Sequence, residues 1–207
     1  QAYIDDNPLC DIELRTPLAM RSDWGGAHGQ PLVLVQVTDL HVNDIDGGQA
    51  KTKFRMFLET VLPPMAPYVD AVVVTGDLVS SKRFTAHMHQ LVGHYSQQIL
   101  SEWKWYNSTV SETIKQLKIR KWITVPGNHD VFGSSSRRFY REYGMHPPLA
   151  LNETYSRSHI TTIRGHMLFG LDAALNPSPH RPMNFFGMVT PEMEDDLLNN
   201  LREHRAR

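Results

Sequence analysis

The sequence predicts an α/β domain built on a mostly parallel sheet covered by helices. Three observations lead there. Three short, nearly continuous apolar runs have strand length. The segments between them carry helical spacing instead. The order strand, helix, strand, helices, strand is one that right-handed crossovers fold into parallel neighbours. At 207 residues one core suffices, and nothing in the length calls for a second domain.

Residues 1–30 are polar and rich in turn signals ("NPLC", "TPLA", "WGGAHGQ") and read as an arm or linker, which leaves 31–207 as the domain. The run "LVLVQV" (Leu32 to Val37) is the first strand, with the texture of one buried on both faces, and "TDLH" follows at once. Phe54, Phe57, Leu58, Val61 and Leu62 then mark one face of a helix that Pro63-Pro64 should stop. The second buried run, Ala71 to Val74, leads into Thr75-Gly76-Asp77. Phe84, Met88, Leu91, Val92, Tyr95, Ile99 and Trp103 form the stripe of a longer helix, and Val110, Ile114 and Leu117 form another. The third run, Trp122 to Val125, opens onto Pro126-Gly127-Asn128-His129-Asp130, where the glycine points to special backbone angles and a constrained loop. "SHITTIRGHMLFGLDA" reads as a hairpin turning at Arg164-Gly165. Thr190 and Pro191 look like the N-cap and first position of a last helix, with Met193, Leu197, Leu198 and Leu201 on one face.

Composition removes several classes of function. The 21 basic and 22 acidic residues nearly cancel without a single-sign block, which argues against nucleic acid or an anionic membrane surface as partner. The single Cys10 has no disulfide partner and no neighbouring thiol for a zinc knuckle. No apolar run approaches the roughly 18 residues of a spanning helix. A start at Gln1 without an apolar leader is what a piece of something longer would show. His87, His89 and His94 fall off the apolar stripe of their helix and suit a solvated face. Trp103, Trp105 and Tyr106 suit packing better than base stacking, and Arg137 with Arg138 suits a solvent-facing helix start. The sequons at Asn107 and Asn152 give modest weight to a lumenal location.

The chemistry sits at the strand ends. Asp39 and His41 follow the first strand, Asp77 the second, and Asn128, His129 and Asp130 the third. In open α/β sheets ligands gather beyond the carboxyl ends of the strands, so these distant clusters should converge. Carboxylates, imidazole and an amide oxygen without thiolate suit Mn, Fe or Zn. Asp77, with two oxygens, could bridge a pair of such ions about 3.5 to 4 Å apart, an arrangement suited to in-line displacement at phosphorus.

D-x-H, G-D and G-N-H-D in this order, each after a strand, resemble the first three blocks of the calcineurin-like metallophosphoesterases. The likeness runs from about Leu32 onward, and "VTDLH", "GDL", "GNHDVF" and "LDAALNPSPHRPMNFFG" (Leu171 to Gly187) resemble the transmembrane protein 62 group within that family. The resemblance implies a layered metallophosphoesterase-type β-sandwich flanked by helices, here C-terminally incomplete. It implies two divalent ions (Mn, Fe or Zn), one on Asp39 and His41 and the second on Asn128, with Asp77 bridging. His129 would be general acid or transition-state donor and Asp130 a supporting neighbour. The implied substrate is a phosphate ester, and the implied membrane attachment lies in segments outside this chain, with the domain lumenal or extracellular.

Two departures from that pattern shape the expectation. The family carries further histidines downstream, one after a Gly and two in a Gly-His-x-His block. Gly165-His166-Met167-Leu168 matches only half of that block and falls on the hairpin turn, while His146, His159, His180 and His204 have the wrong context. Ser80 stands where many relatives carry an Asp that orients the catalytic His. The chain is therefore expected to turn over poorly alone, and two readings stay open: a phosphoesterase, or a non-catalytic lumenal or interaction domain. Nucleotide binding without chemistry fits less well, because no Gly-rich phosphate loop follows the first strand.

Overall fold

The computed structural model describes residues 32–44, 47–80, 94–131, 133–145, 158–174, 187 and 189–205. The N-terminal arm, the stripe from Phe84 to Val92, His87, His89, Asn152 and most of Leu171 to Gly187 lie outside these residues, as do the side chains of His94, His159 and His204.

The β-branched runs form the sheet: β1 (Leu34–Val37), β2 (Ala71–Thr75) and β3 (Trp122–Val125), in the order β1-β2-β3 and all parallel. Leu34 stands opposite Ala71 and Val72 opposite Trp122, so the three strands finish at the same end. Helices cover one face of the sheet. Val35, Val72 and Val74 share a core there with Phe54, Leu58 and Leu62, with Ile99, Trp103, Tyr106 and Val110, and with Phe139 and Tyr140. Each such side chain contributes about 1.5–3 kcal/mol on full burial. The opposite face meets a hairpin, β4 (Ser158–Ile163) and β5 (His166–Leu171), whose Ile163 and Leu168 pack on Ala71, Val73 and Ile123. Helices, parallel sheet and hairpin are thus three layers of an α/β fold, as expected.

β1 departs from the expectation of burial on both faces. Val35 is buried, but Leu34 is 39% exposed and Gln36 is exposed as well. Among the described residues β1 and β3 are both edges of the sheet, but the hairpin packs on β2 and β3. A run of apolar residues cannot itself tell an edge strand from a central one.

The first helical stretch also runs past Pro63-Pro64. It begins as α1 (Gln49–Met56), widens into a π-helical turn (Phe57–Val61), continues as α2 (Leu62–Met65) and ends in a 3₁₀ turn (Ala66–Tyr68). A proline ring collides with the carbonyl four residues earlier, and a widened turn gives it room. The extra residue rotates the apolar face, so Phe54, Leu58 and Leu62 are buried while Val61 is 47% exposed.

Ile99 and Trp103, from the described end of the first predicted stripe, lie in one helix with Val110, Ile114 and Leu117 of the second, α3 (His94–Leu117). Trp103 and Tyr106 are fully buried, and the Trp122 indole donates to the Tyr106 hydroxyl (3.2 Å). Burial pushes that phenol well above its ordinary pKa. Asn107 also lies in α3, and its amide donates to the Tyr143 carbonyl at the end of α4 (Gly133–Tyr143), 3.1 Å away. This sequon therefore serves as a contact between helices.

Arg164 and Gly165 both take positive φ (49° and 78°), as a two-residue hairpin turn requires. The Arg164 guanidinium reaches Asp70 Oδ1 (2.7 Å), and Asp70 Oδ2 accepts the Val33 N–H (3.0 Å). Asp70 immediately precedes β2, so the hairpin turn is pinned at the end of the sheet where the strands begin. The last helix, α5 (Pro191–Arg205), starts as expected, with the Met193 N–H donating to the Thr190 hydroxyl (3.4 Å). Only Met193 of its predicted face is buried, while Leu198 and Leu201 are each 41% exposed.

Candidate metal centre

A parallel ladder that outlasts the strands brings the loops after β1 and β2 together. The Asp39 N–H donates to the Gly76 carbonyl (3.2 Å), His41 to Asp77 (2.8 Å) and Val42 to Leu78 (3.0 Å), and Ser80 returns a bond to Val42 (3.1 Å). Asp39, His41 and Asp77 all adopt the left-handed region, at φ 53°, 45° and 53°. Such a conformation costs a non-glycine residue about 1–3 kcal/mol and persists where the surroundings hold it, most often at functional sites. Asp39, His41 and Asp77 were all singled out as ligands from sequence, although nothing in their side chains announces this backbone.

The strained turns aim the side chains at one another. His41 Nε2 lies 3.6 Å from Asp77 Oδ2 and 3.8 Å from Asp39 Oδ1. Two donors on one ion, with bonds of about 2.1 Å, stand roughly 3.0–3.4 Å apart, so small movements would seat an ion. His41, Asp77 and His129 each offer a ligand atom within 4.8 Å of the others. The rings of His41 and His129 meet edge to face at 4.6 Å. The third loop therefore reaches the other two. The Thr38 hydroxyl lies 2.7 Å from Asp39 Oδ2, which leaves Oδ1 turned towards His41.

Asp77 divides its oxygens: Oδ1 accepts the His129 N–H (3.1 Å), while Oδ2 faces His41. Bridging, read from sequence as a matter of two oxygens, is thus open to Oδ2 in particular. Asn128 Nδ2 is buried with no hydrogen-bond partner among the described residues. Turning the amide over puts Oδ1 at the same point without changing its shape, and a cation would satisfy it. An unsatisfied amide next in sequence to His129, whose ring meets that of His41, fits a divalent ion with mixed N and O preference.

Asp130 is fully buried beneath the loops. Its Oδ1 accepts the N–H groups of Leu78 (2.9 Å) and Val79 (3.1 Å), and its Oδ2 accepts that of Gly127 (2.8 Å). One carboxylate thereby ties the second loop to the third. Burial pushes its pKa up to about 7, against the pull of those three donors and with the help of the nearby Asp77 charge.

Sequence reasoning missed the closest contact at the site. An added Cβ at Gly127 would lie 2.2 Å from Asp77 Oδ1, and one at Gly76 would lie 3.0 Å from the Gly127 Cα. Gly76 does have positive φ (90°), but Gly127 does not, so the third-loop glycine is required for close approach and not for its backbone angles. A glycine directly before each of Asp77 and Asn128 was the available signal. Exposed His166 opens β5 at the hairpin turn, by the start of the strands, and stands at the far end of the sheet from this cluster.

The family model described as calcineurin-like phosphoesterase matches residues 32–206. Transmembrane protein 62 of Mus musculus is 24% identical over 168 residues, which cover 79% of this chain and 24% of that protein. An Arabidopsis thaliana protein named as a candidate metallophosphoesterase is 27% identical over 187 residues, 85% of this chain and 23% of its own length. The chain thus spans about a quarter of each relative. Both the family and the transmembrane protein 62 likeness read from the motifs are borne out. Among the described residues no helix is long and apolar enough to cross a membrane.

Proposed function

The chain belongs to the calcineurin-like phosphoesterase family, and from that premise we propose that its strand-end cluster holds two divalent ions (Mn, Fe or Zn) and hydrolyses a phosphate ester. Asp39 and His41 would hold one ion and Asn128 the other, with Asp77 the residue that would be shared between them. Bound ions of this kind supply Lewis acidity that makes water a nucleophile near neutral pH and offsets charge at phosphorus. His129 gives its proton to the departing alkoxide. Asp130 supports the set by fixing the backbone around Asp77 and Gly127.

The observation carrying this reading is the approach of His41 Nε2 to Asp77 Oδ2 at 3.6 Å from two strained loops. We assign phosphate esters as substrate class, with no role for nucleic acid, and membrane attachment through segments other than those described, the domain facing a lumenal or extracellular space. A second reading, a non-catalytic lumenal or interaction domain, is favoured by His166 standing away from the site. Hydrolysis of bis(p-nitrophenyl) phosphate and p-nitrophenyl phosphate by the full-length protein, with and without added Mn²⁺, separates the two. The enzyme reading expects release of nitrophenol that rises with Mn²⁺ and vanishes with chelator. Weak metal retention with no release from either ester would favour the second.

A further inference from the structure

We propose that Glu102 is a positioning residue for the metal centre, gripping from α3 the loop that carries His41. The inference rests on the metal-binding reading above and adds to it a residue outside the ligand set. Glu102 is fully buried, where an ionisable side chain is costly without strong partners. Its Oε1 accepts the backbone N–H of Asp44 (3.2 Å). The Asp44 carboxylate in turn pairs with Lys51 of α1, and the Ser101 hydroxyl lies 3.5 Å from its other oxygen. Between these residues and the ligand, the Asn43 amide donates to the His41 carbonyl (2.8 Å).

The loop needs this hold because His41 sits at φ 45°. On its upstream side the ladder to the second loop fixes it, as far as the Val42–Val79 bridge. Beyond Val42 the loop leaves the sheet, and the backbone bond from Asp44 to Glu102, together with the Lys51 and Ser101 contacts of the Asp44 carboxylate, ties it to the helical layer. Apolar side chains of similar volume are often at least as stabilising as a buried carboxylate, so what Glu102 supplies is one loop geometry. Residues that orient a metal ligand from outside typically change affinity 10–100-fold when removed.

The test compares the unmutated chain with Glu102→Gln, which keeps an oxygen acceptor, and Glu102→Leu, which keeps volume only. Mn²⁺ affinity is read by titration calorimetry, and protection of the 42–44 amides by hydrogen exchange. Glu102→Leu should weaken Mn²⁺ binding at least about tenfold and expose the Asp44 amide, while Glu102→Gln stays within about threefold. Unchanged affinity in Glu102→Leu, or equal loss in both variants, overturns the proposal. Should Glu102→Leu not fold, Lys51→Met releases Asp44 from the surface side and must weaken Mn²⁺ binding, so unchanged affinity there also overturns it. No Mn²⁺ binding by the unmutated chain is the failure of the metal-centre reading itself, visible before any variant is made.

Discussion

Replacing Asp77 by Asn should abolish metal-stimulated hydrolysis, with a loss of more than about 100-fold, beyond what removing an orienting neighbour costs. The substitution keeps shape and can keep the bond from the His129 N–H to Oδ1. What it removes is the negative charge at Oδ2, the oxygen that faces His41. An amide there binds a divalent ion weakly and cannot draw two together. The loss should appear as reduced Mn²⁺ or Zn²⁺ content after dialysis as well as in rate, with the melting temperature little changed. A variant that keeps both metal and rate would remove Asp77 from the centre.

Gly127→Ala should damage the site by steric means alone. Its methyl would sit 2.2 Å from Asp77 Oδ1, far inside van der Waals contact. Asp77 would have to swing away and give up the His129 N–H, or the third loop would have to retreat from the second. Overpacking of this kind costs about 1–3 kcal/mol, which for a chain of this size lowers the melting temperature on the order of 5 °C. Metal binding should suffer more than stability, because the displaced group is the proposed shared ligand. Calorimetry with Mn²⁺ beside a thermal melt measures both, and normal affinity in Gly127→Ala would contradict the close packing of the two loops.

Much of this architecture was legible because it depends on local pattern. Val72 to Val74 and Trp122 to Val125 form strands for the reasons their side chains give, and each motif follows its strand directly. Convergence of Asp39, His41, Asp77 and the third loop followed from parallel strands ending together. Other features depend on neighbours that no short window contains. Leu34 is exposed where the hairpin packs on β2 and β3 instead of β1, and the π-helical turn before Pro63 reflects a clash relieved in three dimensions. Glu102 lies beside Trp103 in an amphipathic stretch, where a buried carboxylate carries no periodic signature. The Arg164 bond to Asp70 joins residues that nothing in the sequence pairs. Positive φ at Asp39, His41 and Asp77 was equally hidden, since such angles are ordinarily read from glycine.

Anomalous diffraction from crystals grown with Mn²⁺ bears most directly on the claim that three separate loops share a cation centre. The expected map holds a peak about 2.0–2.3 Å from His41 Nε2 and Asp77 Oδ2, with a second peak about 3.5–4 Å away beside Asn128 when both ions are bound. Peaks only at other carboxylates, with His41 and Asp77 bare at saturating Mn²⁺, would contradict it.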